Sequence, residues 1–390
     1  MKRQILNGVR IMETNSADII TKAKEFCSTR LEPIAGKLDE EGRFPSELLA
    51  EMGRAGFFGI EYPVEYGGGN FDALTAYKVI EELGKTSAGV ALTVHVHWMV
   101  ADIILKFGSD EQKKKYLPSI LKGEKIGAFC VSEFQAGSDV AAITASATKT
   151  PNGWLFNGPK WFCTNGGLAD IYLVGFKTDP AAGAKGISMF IVEKGTPGFD
   201  IGDTQQKMGC RSSVTTGLKF KDCALSDDSL IGNVNDGFKI AMHALIAGRL
   251  GMAAMGLGIA EAALGTAARY AGKRTAFGKP LAALFAIQEM LADMYVKVEA
   301  SRLLVYEAAN KRSCGKDYSL DGSIAKLLVA ETVNETCHKA LQVFGGHGYM
   351  KYNDIERYAR DGRLLDIGVG ASEVLKMVVG GTVAKILGKE

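Results

Sequence analysis

From Ala17 to about Gly127, apolar residues recur at intervals of three and four: Ile19, Ile20, Ala23 and Phe26, then Leu48, Leu49 and Met52, then Ile103, Ile104 and Phe107. This is the period of helices with one face in a core. Gly67-Gly68-Gly69-Asn70 interrupts it, and Gly108-Ser109-Asp110-Glu111 reads as a stop followed by a cap. Between about Ala128 and Gly237 the period changes to two. The runs Ile143 to Lys149, Trp154 to Asn157, Ile171 to Lys177, Ile187 to Glu193 and Leu218 to Lys221 are separated by turn residues such as Asn152-Gly153 and Thr196-Pro197-Gly198, which predicts a compact antiparallel β domain. After Gly237 helical patterning returns in Met252 to Ala268, Leu281 to Ala309 and Ile324 to Phe344. The expected fold class is α+β, with an N-terminal α-helical domain over 1–127, a middle β domain over 128–236, and a C-terminal four-helix bundle over 237–390. No β-α-β alternation occurs and no G-x-G-x-x-G follows a strand, which disfavours a Rossmann sheet.

A chain of 390 residues can fill cores of this size. With 47% hydrophobic and 23% charged residues, large-scale disorder is not expected. Lysine plus arginine total 46 against 44 acids and no long run of one sign appears, so neither nucleic acid nor a membrane surface is an implied partner. The seven cysteines have no C-x-x-C pair and lie mostly in apolar runs, which suits buried thiols in a reducing, cytoplasmic compartment rather than disulfides or zinc. No secretory signal and no span of about 18 uninterrupted apolar residues is present. Lys2, Arg3 and Arg10 in an N-terminus without acids leave a short organellar leader open.

Four blocks narrow the function. They are Val131-Ser132-Glu133-Phe134-Gln135-Ala136-Gly137-Ser138-Asp139, Gly158-Pro159-Lys160-Trp161-Phe162-Cys163-Thr164-Asn165-Gly166-Gly167, Lys273-Arg274-Thr275-Ala276-Phe277-Gly278, and Gln342-Val343-Phe344-Gly345-Gly346-His347-Gly348-Tyr349, with Arg360-Asp361 after them. In order and spacing the chain resembles the acyl-CoA dehydrogenase family, from about residue 15 to its end. The resemblance implies FAD held between the β domain and the C-terminal bundle, an acyl-CoA substrate, an electron-transferring flavoprotein as partner, and a homo-oligomer, a tetramer in the family. Ser132 and Thr164 then match flavin-facing hydroxyls, and Phe162 replaces a tryptophan that covers the ring. Arg274, Phe277, Gln342, Gly345 and Gly346 match positions that reach the FAD of a neighbouring subunit, the arginine through charge-assisted bonds to a pyrophosphate. Ser138 and Arg249 match positions contacting the CoA part of the substrate. Apart from the resemblance, each hydroxyl is also readable as a turn residue and each arginine as a solvated one.

The resemblance also implies a glutamate that removes the α-proton of the thioester, either from the C-terminal loop or from the helix just before Arg249. Those positions hold Val369 and Gly248. The loop reads Gly368, Val369, Gly370, Ala371, small residues that suit a branched or cyclic acyl group. A base must then come from elsewhere. His95 and Asp102, seven apart on one predicted helix, share a face and permit a carboxylate-oriented imidazole, although a satisfied core histidine is the competing reading. His243 and Asp366 are weaker candidates, and no metal site is expected. Three other readings stay open: thioester lyase chemistry of the desulfinase kind, for which residues 86–106 lack an arginine; flavin monooxygenation; and a flavoprotein without dehydrogenase activity.

Overall fold

The computed structural model of the protein describes residues 16–388, so the basic N-terminus weighed as a leader lies outside the described residues. Helix α1 (residues 16–26) continues through a π turn, Cys27–Leu31, into α2 (Glu32–Glu41). Four helices follow: α3 (Leu49–Arg54), α4 (Ala73–Thr86), α5 (Ala88–Phe107) and α6 (Asp110–Leu121). The Asp72 carboxylate caps α4 by accepting from the Thr75 N–H at 2.6 Å. Ser109 and Gln112 form a capping box at the start of α6, which satisfies donors that a helix start otherwise leaves open. Helix α5 is apolar nearly all round and buried along almost its whole length, as a helix surrounded by core must be.

The middle of the chain forms β1 (Gly127–Cys130), β2 (Ser146–Thr150), β3 (Gly153–Thr164), β4 (Ile171–Lys177), β5 (Ile187–Glu193), β6 (Phe199–Thr204), β7 (Thr215–Leu225) and β8 (Leu230–Ile231). The order is β6-β7-β3-β2-β4-β5-β8, with β1 beside β4. The expected antiparallel pattern holds except at two places: β1 runs parallel to β4 along four residue pairs, and β2 meets β4 in a single parallel pair, Ser146 with Lys177. Residue alternation fixes which face is buried, but carries no information on the direction of a partner strand. The strand expected from Ile143 begins at Ser146, because Val140–Ala142 form a 3-10 turn first.

Helix α7 (Gly237–Lys273) is the spine of the molecule, 37 residues or about 55 Å long. After a short hairpin of β9 (Thr275–Ala276) and β10 (Lys279–Pro280) come α8 (Phe285–Ser313), α9 (Ser319–Phe344), α10 (Ile355–Gly362) and α11 (Ser372–Leu387). α4 crosses α7 in backbone contact: Gly258 lies against the Glu81 carbonyl, and a Cβ on Gly84 would stand 2.7 Å from the Met255 carbonyl. Helices α5 and α7 are long and apolar enough to cross a membrane by composition alone, but 89% and 72% of their most apolar windows are buried inside the protein.

Candidate active site

On the β domain an extra residue in β3 builds a platform. Lys160 pairs with Leu218 and Cys163 with Thr216, so three steps on β3 match two on β7, the signature of a β-bulge. The bulge puts Phe162 at φ 56° and turns its ring outward, 58% exposed. Trp161 stands beside it and meets Phe134 edge-on at 5.9 Å. The Trp161 N–H donates to the Ser132 carbonyl at 2.9 Å, which ties the two strips together. Ser132 and Thr164, both half-buried, flank these aromatics.

A buried ion pair fixes this arrangement. Lys160 and Glu133 are both 0% exposed and 2.8 Å apart. Glu133 also accepts from the Thr144 N–H at 2.7 Å, the Thr144 hydroxyl at 2.8 Å and the Ala145 N–H at 2.9 Å. Burial pushes this carboxyl up, but the Lys160 charge and these donors outweigh burial and hold it below its ordinary value. Asn165 pins the end of β3: its amide donates to the Thr93 and Gly127 carbonyls, each at 3.0 Å.

In the bundle, α7 presents Gly248 and Gly251, one turn apart. A Cβ on Gly248 would stand 2.7 Å from Val369 Cγ1 and 3.4 Å from the Met99 sulfur. The two positions singled out in the sequence, Val369 and Gly248, are therefore neighbours and line one apolar site. The His95 ring packs so closely on Gly251 that no side chain fits there. His95 is 2% exposed, and its Nε2 has no partner. Burial brings the ring down to about 4, with the nearby Gly248 backbone opposing, so it is neutral at pH 7. His97 differs: its Nε2 lies 3.0 Å from the Ile120 carbonyl and its Nδ1 accepts from the Gly127 N–H at 3.1 Å, which makes it a satisfied core histidine.

The expected Asp102–His95 pair does not form. Both Asp102 oxygens accept from Arg312 Nη2 at 2.9 Å, and the same guanidinium holds Glu61 at 2.7 and 3.0 Å and the Tyr318 hydroxyl at 2.7 Å. A shared helix face permits a contact, but a guanidinium offers a stronger one. Burial and the neighbouring Asp102 raise the Glu61 carboxyl, with Arg312 opposing. This cluster lines a cavity of about 600 Å³ whose rim includes Lys106 and His243, 3.3 Å apart. Asp366 is likewise occupied, by Asn334, Ser372 and Arg363. Arg249 donates to Ser323 Oγ at 3.0 Å while its Nε is buried without a partner. Ser138 is exposed. Among the described residues no three His, Cys, Asp or Glu side chains group as metal ligands.

The remaining candidates sit elsewhere in the single chain. Arg274 and Phe277 follow the C-terminal end of α7, where Tyr270 stacks on Phe344 at 4.0 Å, beside Gln342, Gly345 and Gly346. The β domain packs instead on the start of α7, at Gly237, and the Val369 contact lies at Gly248. From Gly248 to Arg274 is about 39 Å along the helix axis. One chain does not bring the two sets together. Sequence reasoning passed over Lys160, Asn165, Arg312 and the buried Lys326. The first two sit inside a quoted block, so a charged residue in an alternating strand was a usable signal; the others give none.

FAD fits the platform. Exposed aromatics on a bulged strand, flanked by hydroxyls, offer a planar ring both a stacking face and donors. Family models match the chain throughout: acyl-CoA dehydrogenase N-terminal domain over residues 14–124, middle domain over 128–223 and C-terminal domain over 235–384. The chain is 42% identical to a short-chain specific acyl-CoA dehydrogenase of Clostridium acetobutylicum, over 92% of this chain and 95% of that protein. It is 38% identical to an acryloyl-CoA reductase (NADH) of Anaerotignum propionicum, over 99% and 98%. The structure of butyryl-CoA dehydrogenase from Megasphaera elsdenii superposes with a TM-score of 0.93 at 40% identity, covering 94% of this chain and 97% of that one.

Proposed function

This chain belongs to the acyl-CoA dehydrogenase family, and from that premise we propose that it is an FAD-dependent oxidoreductase acting on the CH–CH group of a short acyl-CoA thioester with a branched or cyclic acyl group. The observation that carries this is the meeting of Val369, Gly248 and Met99 in one apolar site, with the neutral His95 of α5 packed one turn further on, against Gly251 of α7. When bound, FAD supplies the acceptor or donor of hydride. Ser132, Thr164 and Phe162 would hold its ring, and the hydrocarbon wall at Val369 and Met99 would keep water from the reacting carbons.

His95 is the proposed proton acceptor. Its Nε2 is buried without a partner, and with the ring proton on Nδ1 that atom would offer a free lone pair. A ring held near 4 is a weak base, so the proton it can take is the α-C–H that the thioester carbonyl acidifies. The small residues Gly368 to Ala371 support a branched or cyclic substrate. The relative described as a reductase supports either direction of electron flow, with an electron-transferring flavoprotein as partner. Six buried free thiols of seven support a reducing, cytoplasmic setting.

Separation of the two FAD-facing sets along α7 supports a homo-oligomer, a tetramer, in which Arg274, Phe277, Gln342, Gly345 and Gly346 serve a neighbour's FAD. Phe277, Phe285 and Tyr349, all at least 80% exposed, supply apolar surface for such contacts. Turnover of butyryl-, isobutyryl- and cyclohexanecarboxyl-CoA tests the substrate reading: the branched or cyclic thioesters should turn over faster, and exclusive use of butyryl-CoA rejects it.

A further inference from the structure

The loop that carries Val369 is held under strain. Val369 lies at φ 55° and Gly370 at φ 101°, and a β-branched residue in the left-handed region costs about 1–3 kcal/mol. Contacts outside the loop must offset this. On its N-terminal side the Ile367 and Gly368 N–H groups donate to the Leu364 carbonyl at 3.0 and 2.9 Å. On its C-terminal side Ser372 Oγ donates to Asp366 at 2.8 Å. The apex is gripped from α9, where Lys326, 0% exposed, donates from Nζ to the Gly370 carbonyl at 2.6 Å. A buried ammonium whose bonded partner is a carbonyl rather than a carboxylate is costly, so its retention calls for a role.

We propose that Lys326 is a positioning residue: it clamps the Gly370 carbonyl, keeps Val369 in its left-handed conformation, and so fixes the wall of the acyl site. The proposal rests on the acyl-thioester reading of that site. Lys326 faces Arg249 from α7, Asp366 from the segment before the loop and Glu373 from α11. Burial, aided by Arg249 and opposed by the two carboxylates, brings the ammonium down to about 8. The clamp is therefore charged at neutral pH and weakens as pH rises through that value.

The test uses FAD-loaded wild type, Lys326→Met and Lys326→Arg, with S-butyl-CoA, a thioether that cannot be oxidised, as the probe read through the flavin absorbance. Affinity should fall at least tenfold in Lys326→Met and stay within threefold in Lys326→Arg. Between pH 7 and 9 wild type should lose affinity while Lys326→Arg stays level. Equal binding by Lys326→Met, or the same pH profile in Lys326→Arg, overturns the proposal. A crystal structure of Lys326→Met reads the loop without any ligand: Val369 leaving the left-handed region supports the clamp, and an unchanged φ overturns it. Should wild type bind the probe while no thioester reduces its flavin, the oxidoreductase reading fails and the clamp is still decided.

Discussion

Asp102 and His95 share a face of α5, as their spacing of seven requires, yet the carboxylate has gone to Arg312 and the imidazole packs on Gly251 of α7. The face was legible in the sequence. The partner was not, because Arg312 arrives from α8, 210 residues away along the chain. The Arg312 cluster also makes a prediction. Removing the guanidinium in Arg312→Met leaves the half-buried Glu61 and Asp102 side by side without a counter-charge, so stability at pH 7 should fall by about 3 kcal/mol, measured by denaturant midpoint. Part of the loss should return on acidification, because a protonated Glu61 no longer repels Asp102; a deficit relative to wild type that is as large at pH 5 as at pH 7 contradicts this. Val369 teaches a similar lesson. Its identity was plain in the sequence, while its left-handed backbone and its contact with Gly248 depend on a loop folded between α9 and α11.

Among the elements, β3 does most to place the site. Its bulge aims Phe162 outward, and the Lys160–Glu133 pair binds it to the segment that carries Ser132. Lys160→Met should cost about 3–5 kcal/mol by stranding a buried carboxylate and should weaken FAD binding at least tenfold, read by flavin released on gel filtration. Retained flavin in a destabilised protein contradicts the link between pair and platform. The bulge was invisible in the sequence because the alternating run read there ends at Asn157, and no glycine marks the bulge. Helical patterning was expected after Gly237, with Met252 to Ala268 as its clearest face, and α7 runs unbroken from Gly237 to Lys273. Its flanks pack against different neighbours on several sides, so the single apolar stripe that reveals a surface helix is blurred there. Helix α11 was not foreseen; its exposed Met377, Val383, Ile386 and Leu387 give no core-facing stripe within one chain.

At the scale of the whole molecule, the proposed assembly makes cofactor binding depend on association, because Gly248 and Arg274 lie far apart along α7. Arg274→Ala should lower FAD occupancy while leaving the single-chain fold intact, and dilution to monomer should release flavin; sedimentation combined with flavin absorbance checks both. Flavin held fully by monomers contradicts the shared site. Stability should also depend on pH in a defined window. His95 and His97 are each brought down to about 4 from 6.5 by burial, so the unfolded chain binds their protons first. Their neutral burial adds no penalty above pH 6.5; below it stability is lost as pH falls toward 4, by at most roughly 3 kcal/mol per histidine, which thermal unfolding between pH 7 and 5 measures. The three-part architecture was legible from the change of period at about residues 128 and 237, because each part buries its own face. The most direct measurement is anaerobic mixing of FAD-loaded wild type and His95→Gln with isobutyryl- and cyclohexanecarboxyl-CoA while the oxidised flavin band is followed. The account predicts bleaching by at least one thioester in wild type and a rate at least a hundredfold lower in His95→Gln, with FAD retained in both. Full bleaching in the variant, or none in wild type, would contradict it.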